Sequence, residues 1–294
     1  MGFSVTILGN SSAKPTPHAH PSSQVVNLNE QYYLVDAGEG VQQQLIRRGI
    51  NPLRLRAVFI SHLHGDHCFG LFPLIATLGL EGKRTPLDIY APAPMGEILE
   101  YHRRYFWDDL PYEVKWHEVR TTEHAIIMQN NTLEVWSIPL RHRVPTAGYL
   151  FKEKQPGRNV DKFKIEKYGL SIAQIVAAKR GEDITYIPYM ARSYAYLSDT
   201  AYSAKAAERV QGVDLLYHET TYSTREAMFA KGRGHSTTVE AAKVALKAEA
   251  KRLIIGHFSS RYKDLDVLCA ECREIFPNTD IAAEGMTFNI EQKR

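Results

Sequence analysis

The amino-acid sequence predicts a mixed α/β (α+β) fold built as one domain over residues 1–294. Three observations carry this expectation. Short apolar runs of strand length recur along the chain, amphipathic helical patterns lie between them, and 294 residues with 44% hydrophobic content suffice to bury a large core.

Strands are expected at 32–35, 57–60, 133–138, 194–197, 213–217, 253–255 and 287–290, where β-branched and aromatic residues cluster in short runs. The run Ala57-Val58-Phe59-Ile60 is uninterrupted, as in a strand covered on both faces. Helices are expected at 41–48, 69–80, 238–250 and 265–276. Ser236 and Thr237 are capping candidates for the third, because their hydroxyls can accept the first free amides of a helix.

One segment departs from this pattern. Residues 152–183 hold eight Lys or Arg against five Asp or Glu, with Pro156 and Gly157 marking a turn. It reads as an inserted basic arm, and its excess of three positive charges equals the formal net charge of +3 of the whole chain. Lys152, Lys154 and Arg158 are therefore candidate contacts for a polyanion.

Elsewhere composition mostly excludes. No repeat, low-complexity tract or membrane-length apolar stretch is present, and the first residues lack a basic segment followed by an apolar one. Three cysteines, Cys68, Cys269 and Cys272, make no disulfide framework. A soluble protein of the reducing cytoplasm is expected. Cys269 and Cys272 have a CxxC spacing without a second pair, so no structural zinc is assigned to them.

The chemistry lies after residue 60. The segment Ser61-His62-Leu63-His64-Gly65-Asp66-His67 packs three imidazoles and a carboxylate into six positions. Alternate residues leaving a strand point the same way, so His62 and His64 can face one ion while the turn at Gly65 brings Asp66 and His67 toward another. Imidazole and carboxylate without thiolate suit zinc, and also manganese or iron. Downstream, His142, Asp199 and His257 each follow a strand-like run and can converge on the same sheet edge, where Asp199 can bridge two ions.

The His-x-His-x-Asp-His pattern resembles the defining motif of the metallo-β-lactamase superfamily. That resemblance implies an αββα sandwich of two mixed sheets with outer helices and metals at one edge. The wording around each ligand is similar to the ribonuclease Z family over nearly the whole chain: His218-Glu219-Thr220-Thr221-Tyr222, Gly234-His235-Ser236-Thr237 and Ser259-Ser260-Arg261-Tyr262. The resemblance implies a zinc-dependent endoribonuclease that removes the 3′ trailer of precursor tRNA, leaving 3′-hydroxyl and 5′-phosphate ends.

Carried over by position, the resemblance implies that His62, His64 and His142 hold one zinc and that Asp66, His67 and His257 hold the other, with Asp199 between them. It further implies two Zn2+ per subunit, a homodimer, and arms that reach precursor tRNA. Asp66 is the expected proton acceptor, and His235, oriented by Glu219, the expected phosphate contact or proton donor. Ser259, Ser260 and Arg261 are candidates for holding a neighbouring phosphate, and the Asp36 to Gly40 turn is expected to serve packing and ligand orientation. His18 and His20 lie in a Pro-rich loop with no assigned role. The arm lacks the family's Pro-Pro-Gly-Pro-like stretch and reads Tyr168-Gly169-Leu170-Ser171 in the comparable region.

Two other readings stand beside this one. A superfamily phosphodiesterase for small cyclic nucleotides or arylesters would use the same ligands, but it has no use for a basic arm. A non-catalytic RNA-binding protein would be expected to have lost ligands, and none of the seven positions is lost.

Overall fold

The structure, a computed structural model, describes residues 2–107, 109–154, 162–180 and 191–291. Arg158 and the turn at Pro156 and Gly157 lie outside the described residues.

The strands are β1 (Phe3–Gly9), β2 (Ser23–Leu28), β3 (Gln31–Ala37), β4 (Leu55–Phe59), β5 (Leu87–Ala91), β6 (Val114–Glu118), β7 (Ile126–Gln129), β8 (Leu133–Pro139), β9 (Ala147–Glu153), β10 (Ser193–Leu197), β11 (Leu215–Glu219), β12 (Leu253–Gly256), β13 (Thr279–Ile281) and β14 (Thr287–Asn289). The helices are α1 (Val41–Arg47), α2 (Gly65–Cys68), α3 (Leu71–Leu80), α4 (Pro94–Phe106), α5 (Lys162–Tyr168), α6 (Ile172–Arg180), α7 (Ala204–Arg209), α8 (Ala227–Arg233), α9 (Thr238–Lys247) and α10 (Asp266–Arg273).

Two mixed sheets form, in the orders β14-β1-β2-β3-β4-β5-β6 and β13-β12-β11-β10-β9-β8-β7. Each begins as an antiparallel meander and continues with parallel strands, β3 to β6 in one and β10 to β13 in the other. Strand β14 returns from the second half of the chain to pair with β1.

Side-chain alternation along a strand assigns the layers. Ala57 and Phe59 of β4 and Tyr194 and Tyr196 of β10 point into a core between the sheets. Val58 faces outward onto α1, α3 and α4, and Ala195 and Leu197 face outward onto α7, α9 and α10. Helices on both outer sides make the αββα sandwich that the motif implied.

Helix α9 starts where expected. The Thr237 hydroxyl accepts from Glu240 N at 3.3 Å and Glu240 Oε2 accepts from Thr237 N at 2.9 Å, a reciprocal cap. The helix expected at 69–80 forms as α3 from Leu71, and Phe69 and Gly70 separate it from the short α2 before it. Between the sheets, Phe59 packs edge-on to Phe151 at 5.2 Å and against Tyr149 at 5.3 Å. Tyr149 OH donates to Ile60 O at 2.6 Å. Together these contacts fix the end of β4, the point from which the histidine-rich segment leaves.

Candidate metal centre

The ligand-type residues leave the C-terminal ends of strands from both sheets. His62, His64, Asp66 and His67 follow β4, His142 follows β8, Asp199 follows β10 and His257 follows β12. Gly65 begins α2, which carries Asp66 and His67, while His64 caps it in extended conformation.

These side chains form two groups whose ligand atoms lie within 4.8 Å of one another. In the first, His64 Nδ1 is 2.9 Å from His62 Nε2 and 3.4 Å from His142 Nε2, and Asp199 Oδ2 lies 3.6 and 3.8 Å from His62 and His142. In the second, His67 Nε2 and His257 Nε2 are 3.3 Å apart and each lies 3.5 Å from Asp66 Oδ2. Asp199 Oδ1 completes it, at 3.5 Å from His67 and 3.3 Å from His257.

Donors set tetrahedrally around an ion at roughly 2.0–2.1 Å are about 3.4 Å apart, so these separations fit a small divalent cation. Asp199 gives one carboxylate oxygen to each group, and its buried Oδ1 has no hydrogen-bond partner. An orphaned buried carboxylate oxygen is costly, and a cation between the donors removes that cost. The fold and the His/Asp clusters define a centre for divalent metal.

Four of the five imidazoles, those of His62, His67, His142 and His257, are oriented from the other side, which fixes the nitrogen that faces the ligand group. His67 Nδ1 is 2.7 Å from Asp36 Oδ2, His62 Nδ1 is 3.0 Å from Ser61 Oγ, and His257 Nδ1 is 2.8 Å from Thr221 Oγ1. His142 Nδ1 donates to Gly234 O at 2.8 Å. Asp36, fully buried with φ 53°, also accepts from Ser61 N, Ser61 Oγ and Tyr196 OH at 2.7, 2.8 and 2.7 Å. It ties the two sheets together at the rim of the site. His257 also has a positive φ, 59°, a conformation that non-glycine residues hold only where the surroundings enforce it.

Electrostatics separate the histidines. Burial, then the neighbouring imidazoles of His67, His64 and His142, lowers the His62 pKa, and burial lowers those of His64 and His142. All three are biased toward the neutral form that binds metal. Burial also disfavours the His235 cation, but Glu219 outweighs it and lifts the group to about 9. Burial raises Glu219 in turn, and His235 overrides it to hold the carboxyl at about 2.

Glu219 is a fully buried acceptor. Its Oε1 receives Thr200 N, Ser236 N and His235 Nδ1 at 3.1, 2.9 and 3.1 Å, and its Oε2 receives Thr221 N and Thr221 Oγ1 at 2.9 and 2.8 Å. His235 Nδ1 is thereby occupied, which leaves Nε2 for a ligand in the pocket that His235 lines beside Asp66 and Asp199. Asp66 Oδ2 is also held by Ala13 N at 2.7 Å.

The remaining candidates lie apart from this pocket. Ser259 and Ser260 line a neighbouring cavity of about 740 Å³ together with His18. Arg261 is ion-paired with Glu226, donates to Ser259 Oγ at 3.2 Å and stacks over Tyr222. His20 is bound to Glu284 at 3.0 Å. Lys152 sits at the far end of β9, whose six steps from Ala147 span about 20 Å, and Lys154 follows it. Lys154 lies 4.0 Å from Glu134. Residues with a clear structural part that were given none from the sequence include Thr221, Ser61, Tyr196 and Gly234. Ser61, Thr221 and Gly234 stand within segments singled out from the sequence, whereas nothing local marks Tyr196.

The fold and this centre together define a metal-dependent hydrolase of the metallo-β-lactamase type. The family model of the beta-lactamase superfamily domain matches residues 31–258. Ribonuclease Z of Bacteroides thetaiotaomicron is 42% identical over 98% of this chain and 95% of its own length, and ribonuclease Z of Porphyromonas gingivalis is 42% identical over 98% and 99%. The crystal structure of the short form of human tRNase Z superposes with a TM-score of 0.76 at 26% identity, covering 98% of this chain and 99% of that one. The chain belongs to the ribonuclease Z family of this superfamily.

Proposed function

We infer that the chain is a metal-dependent endoribonuclease that processes the 3′ end of precursor tRNA. The observation that carries this reading is the division of the Asp199 carboxylate between two three-residue ligand groups, in a chain 42% identical to named ribonucleases Z. The two groups support a pair of ions per subunit, and the imidazole and carboxylate donors suit zinc.

His62, His64 and His142 would hold one ion, Asp66, His67 and His257 the other, and Asp199 both. When bound, the ions supply charge neutralisation at the phosphoryl group and acidification of a water. Asp66, anchored by Ala13 N, is positioned to take a proton from the attacking water. His235, held cationic by Glu219, is positioned to donate from Nε2 to the departing 3′ oxygen, giving 3′-hydroxyl and 5′-phosphate ends.

The chain is read as one domain with an arm at 152–183 that contacts tRNA away from the cleavage site, by way of Lys152, Lys154 and Arg158. Helices α5 and α6 belong to that arm. Because Lys152 and Lys154 lie at the end of β9 remote from the centre, the reading favours a homodimer in which an arm serves the partner's substrate. Ser259, Ser260 and Arg261 would contact RNA beside the metal pocket. No helix among the described residues is long and apolar enough to cross a membrane, and a cytoplasmic location fits a tRNA substrate and three unpaired cysteines.

The test is incubation of purified protein with a 3′-extended tRNA transcript, with and without chelator, and mapping of the new end. A product cut at the 3′ boundary and abolished by chelator is expected. A chelator-resistant product contradicts the reading.

A further inference from the structure

We propose that Arg143 and Arg233 form a guanidinium pair that grips the phosphates flanking the cleaved one, and so select a polynucleotide over a small diester. The proposal rests on the ribonuclease reading above. The pocket over the metal centre, about 340 Å³, is lined by the ligand groups and by two permanently cationic side chains, Arg143 and Arg233. Among the described residues neither has a carboxylate partner within 4.0 Å. Arg261 is the contrasting case, since Glu226 already neutralises it.

The two arginines are placed by one junction. Arg143 follows the ligand His142, and Arg233 ends α8 just before Gly234. The Gly234 carbonyl accepts from His142 Nδ1 at 2.8 Å, and a Cβ at Gly234 would lie 3.4 Å from Arg143 N. The two backbones are therefore in contact where their side chains leave for the pocket. Arg233 is steered further by its 3.1 Å hydrogen bond to the hydroxyl of Tyr222, a buried ring that also lines the pocket.

A strand of RNA laid across the ions brings a phosphate on each side of the scissile one, and each adds a negative charge. Planar guanidinium groups with five donors match phosphate oxygens in pairs. Ions held by the two ligand groups would face the scissile phosphate, so the flanking phosphates need other cations. Two unpaired guanidinium groups at the same mouth can.

The test compares Arg143→Ala and Arg233→Ala with wild-type holoenzyme on a 3′-extended tRNA and on bis(p-nitrophenyl) phosphate, with kcat/KM for RNA followed against salt. Each variant is expected to lose on the order of 10- to 100-fold in kcat/KM for RNA, with a loss on the small diester at least roughly tenfold smaller. The slope of log kcat/KM against log salt should flatten by about 0.7 for each variant, the value for one contact to a single strand. Arg143→Lys and Arg233→Lys should restore the slope and only part of the rate, because the charge returns without the planar fork. Wild-type slopes in both alanine variants, or equal losses on the two substrates, overturn the proposal. Wild-type enzyme that turns over the diester and leaves the RNA intact overturns the ribonuclease reading itself, before any variant is compared.

Discussion

Replacing Glu219 by Gln removes one buried charge while keeping the side-chain volume. In the native site Oε1 faces the amides of Thr200 and Ser236 and the His235 ring, and Oε2 faces the amide and hydroxyl of Thr221. A glutamine must turn its NH2 toward one of these sets, and a backbone N–H cannot rotate away as the Thr221 hydroxyl can. Hydrogen bonds to a charged acceptor contribute about 1.5–3 kcal/mol each, so losing one outright and weakening others costs about 2–4 kcal/mol. That corresponds to a Tm lower by roughly 4–8 °C.

The same substitution acts on His235. With Glu219 the imidazole titrates at about 9, and without it the pKa falls toward the ordinary 6.5. At about pH 8 the cationic fraction then drops from about 90% to about 3%, a loss of roughly 30-fold in proton donor. The alkaline limb of kcat against pH on a 3′-extended tRNA should move to lower pH. For stability, the raised His235 contributes fully below 6.5 and loses its contribution as pH rises through about 9. The lowered Glu219 contributes above 4.5 and loses its contribution as pH falls through about 2. The Tm gap between wild type and variant should thus be widest from 4.5 to 6.5. An unmoved alkaline limb together with an unchanged Tm would refute the role given to this pair.

Asp36→Asn should lower metal affinity by about 10- to 100-fold in chelator competition, because an amide nitrogen in either orientation faces Ser61 N or His67 Nδ1; affinity equal to wild type counts against it. Asp199→Ala removes the carboxylate shared by both groups, and elemental analysis should find less metal per subunit than in wild type. Gly234→Ala places a Cβ at φ 72° and 3.1 Å from His142 Nδ1, so a loss of about 1–2 kcal/mol is expected in denaturant unfolding, together with weaker metal retention. Thr237→Ala removes the reciprocal cap of α9 and should cost about 1 kcal/mol, read as a lower denaturant midpoint at unchanged slope.

The parts of this fold that were legible in sequence are those with local causes. Residues 57–60 are apolar throughout because β4 is covered on both faces, and His62 to His67 are informative because four ligand-type residues fall within six positions. Edge strand β6, reading Val-Lys-Trp-His-Glu, lacks that signature because its residues are only partly covered. Strand β9 is obscured by Ala147 and Gly148 at its start and by Lys152 and Glu153 at its end. The Tyr196 to Asp36 contact joins residues 160 positions apart, and no local pattern records it. Arg143 and Arg233 resemble any surface arginine until His142 and Gly234 are seen to touch.

The candidate ligand side chains come from both sheets, four of them after β4 and three after β8, β10 and β12. Neither sheet alone supplies every member of either group. Both groups therefore draw donors from the two sheets, and an ion held by either would act as a clasp across the seam.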